Sequence, residues 1–373
     1  MIYLDHAATT RPNAAALEKA EEYLREKWFN PSALYGGGLS VHTDLKRARE
    51  RILSFVADSS FELIFTSGGT ESDNHAVFCG GKRGNVVTTA GEHSAIYRAC
   101  TELKNRGVEP RFALLRTDGS VNAEELIKLV DEKTSLVSVV HVNNETGGVN
   151  DIAALAREVK RKNPRCLFHS DGVQAFGKLP VRLTKEIDLY SVSAHKIGGV
   201  KGTGALIKRK SLALAPYLYG GGQEGNLRSG TENVFGAMDF LFAAESKFAS
   251  LEPDGKRLSA FRERLWQALD QALFTRLSPE NGSPYILAVS AKGLRGEILQ
   301  RMLEERGVIV GTGSACSSKR PHSRILEACG YDNATLDGVL RASFSPETTE
   351  EEIEFAARTF NEAARELKER TKS

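Results

Sequence analysis

Charge of one sign is what this sequence has least of. Lys plus Arg number 50 and Asp plus Glu 48, a formal charge of +2 over 373 residues. That balance speaks against a nucleic-acid binder held by a strong positive field, and against an acidic tail. Long apolar runs are missing too. The longest stretch free of Asp, Glu, Lys and Arg, 28–43, is sixteen residues and contains Pro31 and three glycines. A membrane-spanning helix needs about 20 mostly apolar residues, so none is expected. The opening MIYLDHAATT has no basic segment followed by an apolar one, and no secretory signal is expected. Cysteine is scarce: five, at 79, 100, 166, 316 and 329, an odd count with no CxxC pair. This argues against a disulfide scaffold and for a reducing cytoplasm.

What is present is an ordinary globular mixture, 41% hydrophobic and 26% charged, able to bury a large core. The length predicts two or three packing units. Leu17, Ala20, Leu24 and Trp28 predict one amphipathic helix, and Leu45, Ala48, Ile52 and Phe55 another. Short apolar runs follow at 62–67, 85–89, 111–115, 136–142, 166–170, 189–193 and 204–207, with helical stretches such as 124–131 and 151–162 between them. Seven strands interleaved with helices predict an α/β domain with a largely parallel sheet covered on both faces. Beyond about residue 250 the pattern changes. Helices near 258–269 and 296–306, strands at 285–291 and 307–310, and a closing helix with Ile353, Ala356, Phe360, Ala363 and Leu367 inward predict a smaller α+β domain. Residues 251–256 (LEPDGK) carry the turn chemistry of a boundary. The division expected is 14–250 for a large cofactor-binding domain, and 1–13 with 251–373 for a small domain carrying the cysteine loop.

Ligands of parallel α/β sheets collect at the carboxyl ends of the strands. The residues there are Ser67-Gly68-Gly69-Thr70, Glu92-His93, Asn143-Asn144-Glu145, Asp171 with Gln174, and Ser193-Ala194-His195-Lys196. Ser67–Thr70 reads either as a plain glycine turn or as a phosphate cup opening a helix, and it is not a nucleotide P-loop. Lys196, at a strand end, has the position of a desolvated amine nucleophile, with Lys201 as its rival. Asp171 is a turn residue or the counter-ion of a protonated ring nitrogen. Cys316, among Gly, Ser, Thr and Ala with Lys319 and Arg320 nearby, is placed as a thiolate; Cys79, Cys100 and Cys166 fit inert packed thiols better.

The motifs YLDHAATT (3–10), FTSGGTESDN (65–74), EHSAI (92–96), HVNNETGGVNDI (141–152), HSDGVQAFGKLP (169–180), SVSAHKIGGVKGTGAL (191–206), GGGQEGNLRSGTEN (220–233), GSACSS (313–318) and LRASFS (340–345) span nearly the whole chain. With them the sequence resembles the cysteine desulfurases, pyridoxal-phosphate enzymes of the class V aminotransferase group, on the long-loop side. The resemblance implies the fold-type-I transferase architecture and a conversion of L-cysteine to L-alanine. It implies that Lys196 binds pyridoxal 5'-phosphate covalently, Asp171 pairs with its ring nitrogen and His93 stacks on its ring. Gln174 and Asn144 would contact the ring hydroxyl and the substrate region. Gly69, Thr70, Ser193 and His195 would hold the phosphate, with Thr231 arriving from the other subunit of a homodimer. Arg341 would bind the substrate carboxylate, and Cys316 would accept sulfur as a persulfide for an acceptor protein such as an iron–sulfur scaffold, or for tRNA or cofactor thiolation. No metal ligands are implied. A selenocysteine lyase, another lyase or aminotransferase of the group, and a carrier subunit without turnover are the competing readings. The sequence departs from the family pattern at Tyr35 (usually His), at Gly172 (usually Ala) and in a shorter loop after Cys316. No long C-terminal docking tail is expected.

Overall fold

The computed structural model describes residues 1–312 and 322–371. Its strands are β1 (Ile2–Leu4), β2 (Phe61–Thr66), β3 (Asn85–Thr89), β4 (Glu109–Ala113), β5 (Thr134–Ser138), β6 (Leu167–Asp171), β7 (Leu189–Ser193), β8 (Gly204–Arg209), β9 (Thr275–Arg276), β10 (Ile286–Ser290), β11 (Val308–Thr312) and β12 (Val339–Ser343). They form two sheets. The larger has seven strands in the order β2-β8-β7-β6-β5-β3-β4. β8 runs antiparallel to both its neighbours, and every other pairing is parallel. All strands except β8 therefore end on one edge of the sheet. This is the largely parallel α/β architecture expected from the alternating pattern.

Continuous apolar runs make the interior strands bury both faces. Leu189, Tyr190 and Val192 of β7, and Leu136 and Val137 of β5, are all fully buried. Tyr190 joins one apolar cluster with Ile52, Phe168 and Ile207, while Leu136 joins another with Val77, Val86 and Ile96. The hydrogen-bonding path of β5 runs on beyond Ser138, since Val139 N donates to His169 O and His141 N to Asp171 O. That extension accounts for the apolar run read as 136–142.

The second sheet has the order β1-β11-β12-β10-β9, with β1 parallel to β11 and the other pairs antiparallel. It packs beneath the helix Glu350–Arg370, whose Ile353, Ala356, Phe360, Ala363 and Leu367 are buried as expected. Each large aliphatic or aromatic side chain so buried stabilises the fold by about 1.5–3 kcal/mol. A capping box of Thr349 and Glu352 starts this helix.

Two local expectations are corrected. The first amphipathic helix breaks into Ala14–Ala20 and Glu22–Arg25, leaving Leu24 57% and Trp28 67% exposed rather than inward. The turn expected at 251–256 is the start of the helix Leu251–Ala268, and the bend is at Ser250. Pro253 lies in the first turn, where a missing N–H costs the helix nothing. No helix among the described residues is long and apolar enough to cross a membrane.

Candidate active site

The shared edge of the large sheet opens into a cavity of about 400 Å³. Eleven of the residues singled out from sequence line it: Gly69, Thr70, His93, Asn144, Glu145, Asp171, Gln174, Ser193, His195, Lys196 and Arg341. All but Arg341 lie at the carboxyl ends of strands of the large sheet or in the segments that follow them. Arg341 comes from β12 of the smaller sheet, so the cavity has walls from both.

One end of the cavity is built to receive an anion. The helix Gly69–Gly80 presents its N-terminus there, where N–H groups lack intrahelical partners. A side chain at Gly69 would bring its Cβ within 2.8 Å of Val173. Opposite, the buried Ser193 Oγ has no hydrogen-bond partner among the described residues. His195 is held by Thr9 Oγ1 at 3.1 Å, and burial pulls its pKa to about 4, leaving it neutral at pH 7.

The other end is acidic and buried. Asp171, 4% exposed, accepts a 2.9 Å hydrogen bond from Val173 N. Burial pushes its carboxyl up, while His93, Val173 N–H and Lys196 pull it down. Asp73, from the neighbouring helix, lines the same cavity, and burial plus the Asp171 charge raise its carboxyl well above the usual range. A cationic ring nitrogen would relieve both. Between the two ends, His93 caps the helix Ser94–Leu103: Nδ1 accepts from Ala95 N at 3.2 Å, and burial lowers the imidazole pKa. The neutral ring therefore carries its proton on Nε2.

Lys196 follows β7 in a short helical turn, and its Nζ donates to Ala7 O at 2.6 Å and Ala8 O at 2.8 Å. Lys201 is exposed and does not line the cavity. Gln174 Nε2 donates to the same Ala7 carbonyl at 2.8 Å. Arg341 donates through Nη1 to Asn144 O at 2.8 Å and through Nη2 to Asp5 Oδ1 at 2.7 Å. Asn144 Oδ1 is buried without a partner among the described residues. An anion cup, a buried carboxyl and unsatisfied polar atoms between them fit a phosphorylated nitrogen heterocycle. Among the described residues, no cluster of three His, Cys, Asp or Glu is placed to hold a metal.

A profile of the family described as Aminotransferase class-V matches residues 2–355. The chain belongs to the class-V aminotransferase family. Within that family it is 34% identical over 364 residues to a cysteine desulfurase IscS of Dictyoglomus turgidum, covering 95% of this chain and 92% of the relative. A solved structure of a NifS-like protein superposes with a TM-score of 0.91 at 34% identity, over 98% of this chain and all of that one. A structure of SspA in complex with cysteine superposes with a TM-score of 0.82 at 27% identity, over 94% of this chain and 100% of that one.

One residue expected from sequence does not line the cavity, and the structure leaves another undescribed. Thr231 is exposed on the loop before the helix Val234–Ala249. Cys316 lies outside the described residues, although Thr312, at the end of β11, lines the cavity. The structure adds residues that strand ends alone did not assign to a site: Asp5, paired with Arg341, and Asp73, one helical turn beyond Thr70. The N-terminal motif and the TESDN segment contained both, but nothing in their spacing pointed them at the same space. It also accounts for Gly172: a Cβ there would overlap the ring of Tyr190, whose hydroxyl bonds His141 Nδ1 at 2.9 Å.

Proposed function

We propose that this protein is a pyridoxal-phosphate-dependent cysteine desulfurase that converts L-cysteine to L-alanine and passes the sulfur on through Cys316. The observation that carries the reading is the meeting of Lys196 and Asp171, from the large sheet, with Arg341, from the small one, around a single cavity. An amine, a carboxyl for a ring nitrogen and a guanidinium for a carboxylate are what an amino acid and this cofactor require together.

Pyridoxal 5'-phosphate, when bound, supplies an electron sink for a carbanion at the amino-acid Cα. Gly69, Thr70, Ser193 and His195 would hold its phosphate, Asp171 its ring nitrogen, Gln174 its ring hydroxyl and His93 its face. The protein's own groups then do the rest. Arg341 binds the substrate α-carboxylate, a task suited to a planar fork of donors, and the Asp5 and Asn144 O contacts hold that fork in place. Lys196 Nζ, within reach of the Ala7 and Ala8 carbonyls, takes and returns the Cα proton. Cys316 thiolate attacks the substrate sulfur. An S–S bond forms, the C–S bond breaks with its electron pair left on carbon, and that carbon takes a proton to become the methyl group of alanine. Cys316 is left as a persulfide for an acceptor such as an iron–sulfur scaffold protein.

The division into 14–250 and 1–13 with 251–373 is part of this proposal, as it makes the cavity an interdomain cleft. So is a homodimer in which Thr231 serves the partner's cavity. Its support is the exposure of Thr231, with Leu34, Tyr35 and Tyr219 also 88%, 55% and 82% exposed. Cys79, Cys100, Cys166 and Cys329 are all free thiols, which suits a reducing cytoplasm. Purified protein supplied with pyridoxal phosphate and L-cysteine should release alanine and sulfide in equal amounts when a reductant is present. Pyruvate in place of alanine, or no turnover, overturns the reading.

A further inference from the structure

Lys178 is a buried lysine that the chemistry above does not use. It closes the turn after β6, is 5% exposed, and makes no ion pair with a carboxylate among the described residues. Its Nζ donates to Gln174 Oε1 at 2.7 Å and lies 5.7 Å from the centre of the Tyr285 ring. The charged groups that act on it are Lys196, Lys247 and Arg341, all cationic. An isolated buried ammonium costs several kcal/mol, so packing alone is a poor reason for a lysine here. Burial, with those three cations behind it, pulls the Lys178 pKa well down; amine and ammonium alike keep N–H hydrogens to donate.

What that donation does is set an amide. Gln174 has an oxygen and an NH2 group of nearly equal shape, and its two orientations present opposite chemistry to the cavity. Ala7 O can only accept, and it takes Gln174 Nε2 at 2.8 Å. Lys178, on the far side, occupies Oε1. Ala7 O is shared with Lys196 Nζ, so an unbroken hydrogen-bonded path runs Lys178–Gln174–Ala7–Lys196.

We propose that Lys178 is a positioning residue: by occupying Gln174 Oε1 it locks the Gln174 amide with its N–H groups toward Ala7 and the cavity, so that the ligand atom Gln174 meets must be an acceptor oxygen. This rests on the proposed function, in which the ring hydroxyl of pyridoxal phosphate is that oxygen.

The test is a double-mutant cycle on the full-length apoprotein with pyridoxal phosphate as the probe, its dissociation constant read by equilibrium absorbance. Lys178→Met keeps the buried stem and removes the donor. It should weaken cofactor binding about tenfold, one hydrogen bond's worth. Gln174→Ala should do at least as much, and the double variant should bind no worse than Gln174→Ala alone, because Lys178 acts only through Gln174. A crystal structure of the Lys178→Met apoprotein should show Gln174 moved off Ala7 O. Additive losses in the cycle, or Gln174 unmoved with binding unchanged, overturn the lock. If wild-type protein itself fails to bind pyridoxal phosphate, the proposed function fails instead. The lock is then judged by the two apoprotein structures, and an unmoved Gln174 sinks it.

Discussion

Tyr190 occupies the space that a side chain on residue 172 would need. The ring lies so close to the Gly172 backbone that an added Cβ would overlap it, and the Tyr190 hydroxyl is tied to His141 Nδ1 at 2.9 Å, so the ring cannot swing aside. Gly172 directly follows Asp171, so the pair also fixes the backbone that aims the Asp171 carboxyl.

Gly172→Ala should therefore destabilise the protein by about 1–3 kcal/mol, as overpacking of a tight core does. Tyr190→Leu should be destabilising alone yet suppress much of the Gly172→Ala loss. Urea unfolding of the two single variants and the double variant measures this; losses that simply add would show that ring and glycine do not compete.

Lys196 and Lys201 are five residues apart, but only Lys196 lines the cavity. Borohydride reduction of the cofactor-loaded protein, followed by peptide mapping, should place the pyridoxyl group on Lys196. A label on Lys201 would contradict the site.

Asp171→Asn keeps the size and the Val173 contact but removes the charge that favours a protonated ring nitrogen. Cofactor should remain bound, while alanine release falls by two orders of magnitude or more, roughly 3 kcal/mol or more of barrier. Near-normal turnover would remove Asp171 from the electron-sink role.

Cys316→Ala should retain cofactor and bind cysteine, yet release almost no sulfide. Cys329→Ala should be nearly silent, since Cys329 is 3% exposed and burial pushes its thiol up to about 12. Mass spectrometry after one turnover should find one added sulfur, on the Cys316 peptide.

Glu145 carries a pH signature. It lines the cavity, and its Oε2 accepts from Ser323 Oγ at 2.5 Å. Burial raises its pKa to about 7, against the opposing Ser323 hydrogen bond and the charges of Arg341 and Arg324. A carboxyl whose folded pKa lies above its unfolded value of 4.5 binds a proton in the native state that the unfolded chain has lost. Its stabilising share is thus complete below pH 4.5 and is lost as pH rises to about 7. Glu145→Gln removes that slope, at most ~1.4 kcal/mol per pH unit. The wild type should lose more stability than the variant between pH 5 and pH 7.5, measured by urea unfolding; parallel curves would mean Glu145 is ionised throughout.

The repeating pattern of short apolar runs was legible in the chain because burial on both faces leaves a local mark. Leu189–Ser193 has Leu, Tyr and Val with only small serines between them in sequence, and is an interior strand in space. The strand-end rule singled out Lys196, Asp171 and His93, which line one cavity, without any contact being known, because the direction of a parallel strand decides which of its ends can carry a ligand. Turn chemistry was a weaker guide. Proline and glycine at 253 and 255 suit a loop, but proline is equally at home in the first turn of a helix, and local residues cannot tell the two apart. Leu24 and Trp28 have the spacing of a buried face, yet the helix breaks at Glu21 and leaves both in the open. Pairings across hundreds of residues leave no local mark. Asp5 meets Arg341, and Gly311, β-sheet partner of Arg341, leaves room for that ion pair, because β1, β11 and β12 are neighbours in one sheet. The same holds for the overlap of Tyr190 with residue 172 and for Lys178 behind Gln174. Residue type and spacing specify which groups each strand end offers; which of them touch depends on the order in which the strands lie side by side, and that order is set by packing of the whole chain.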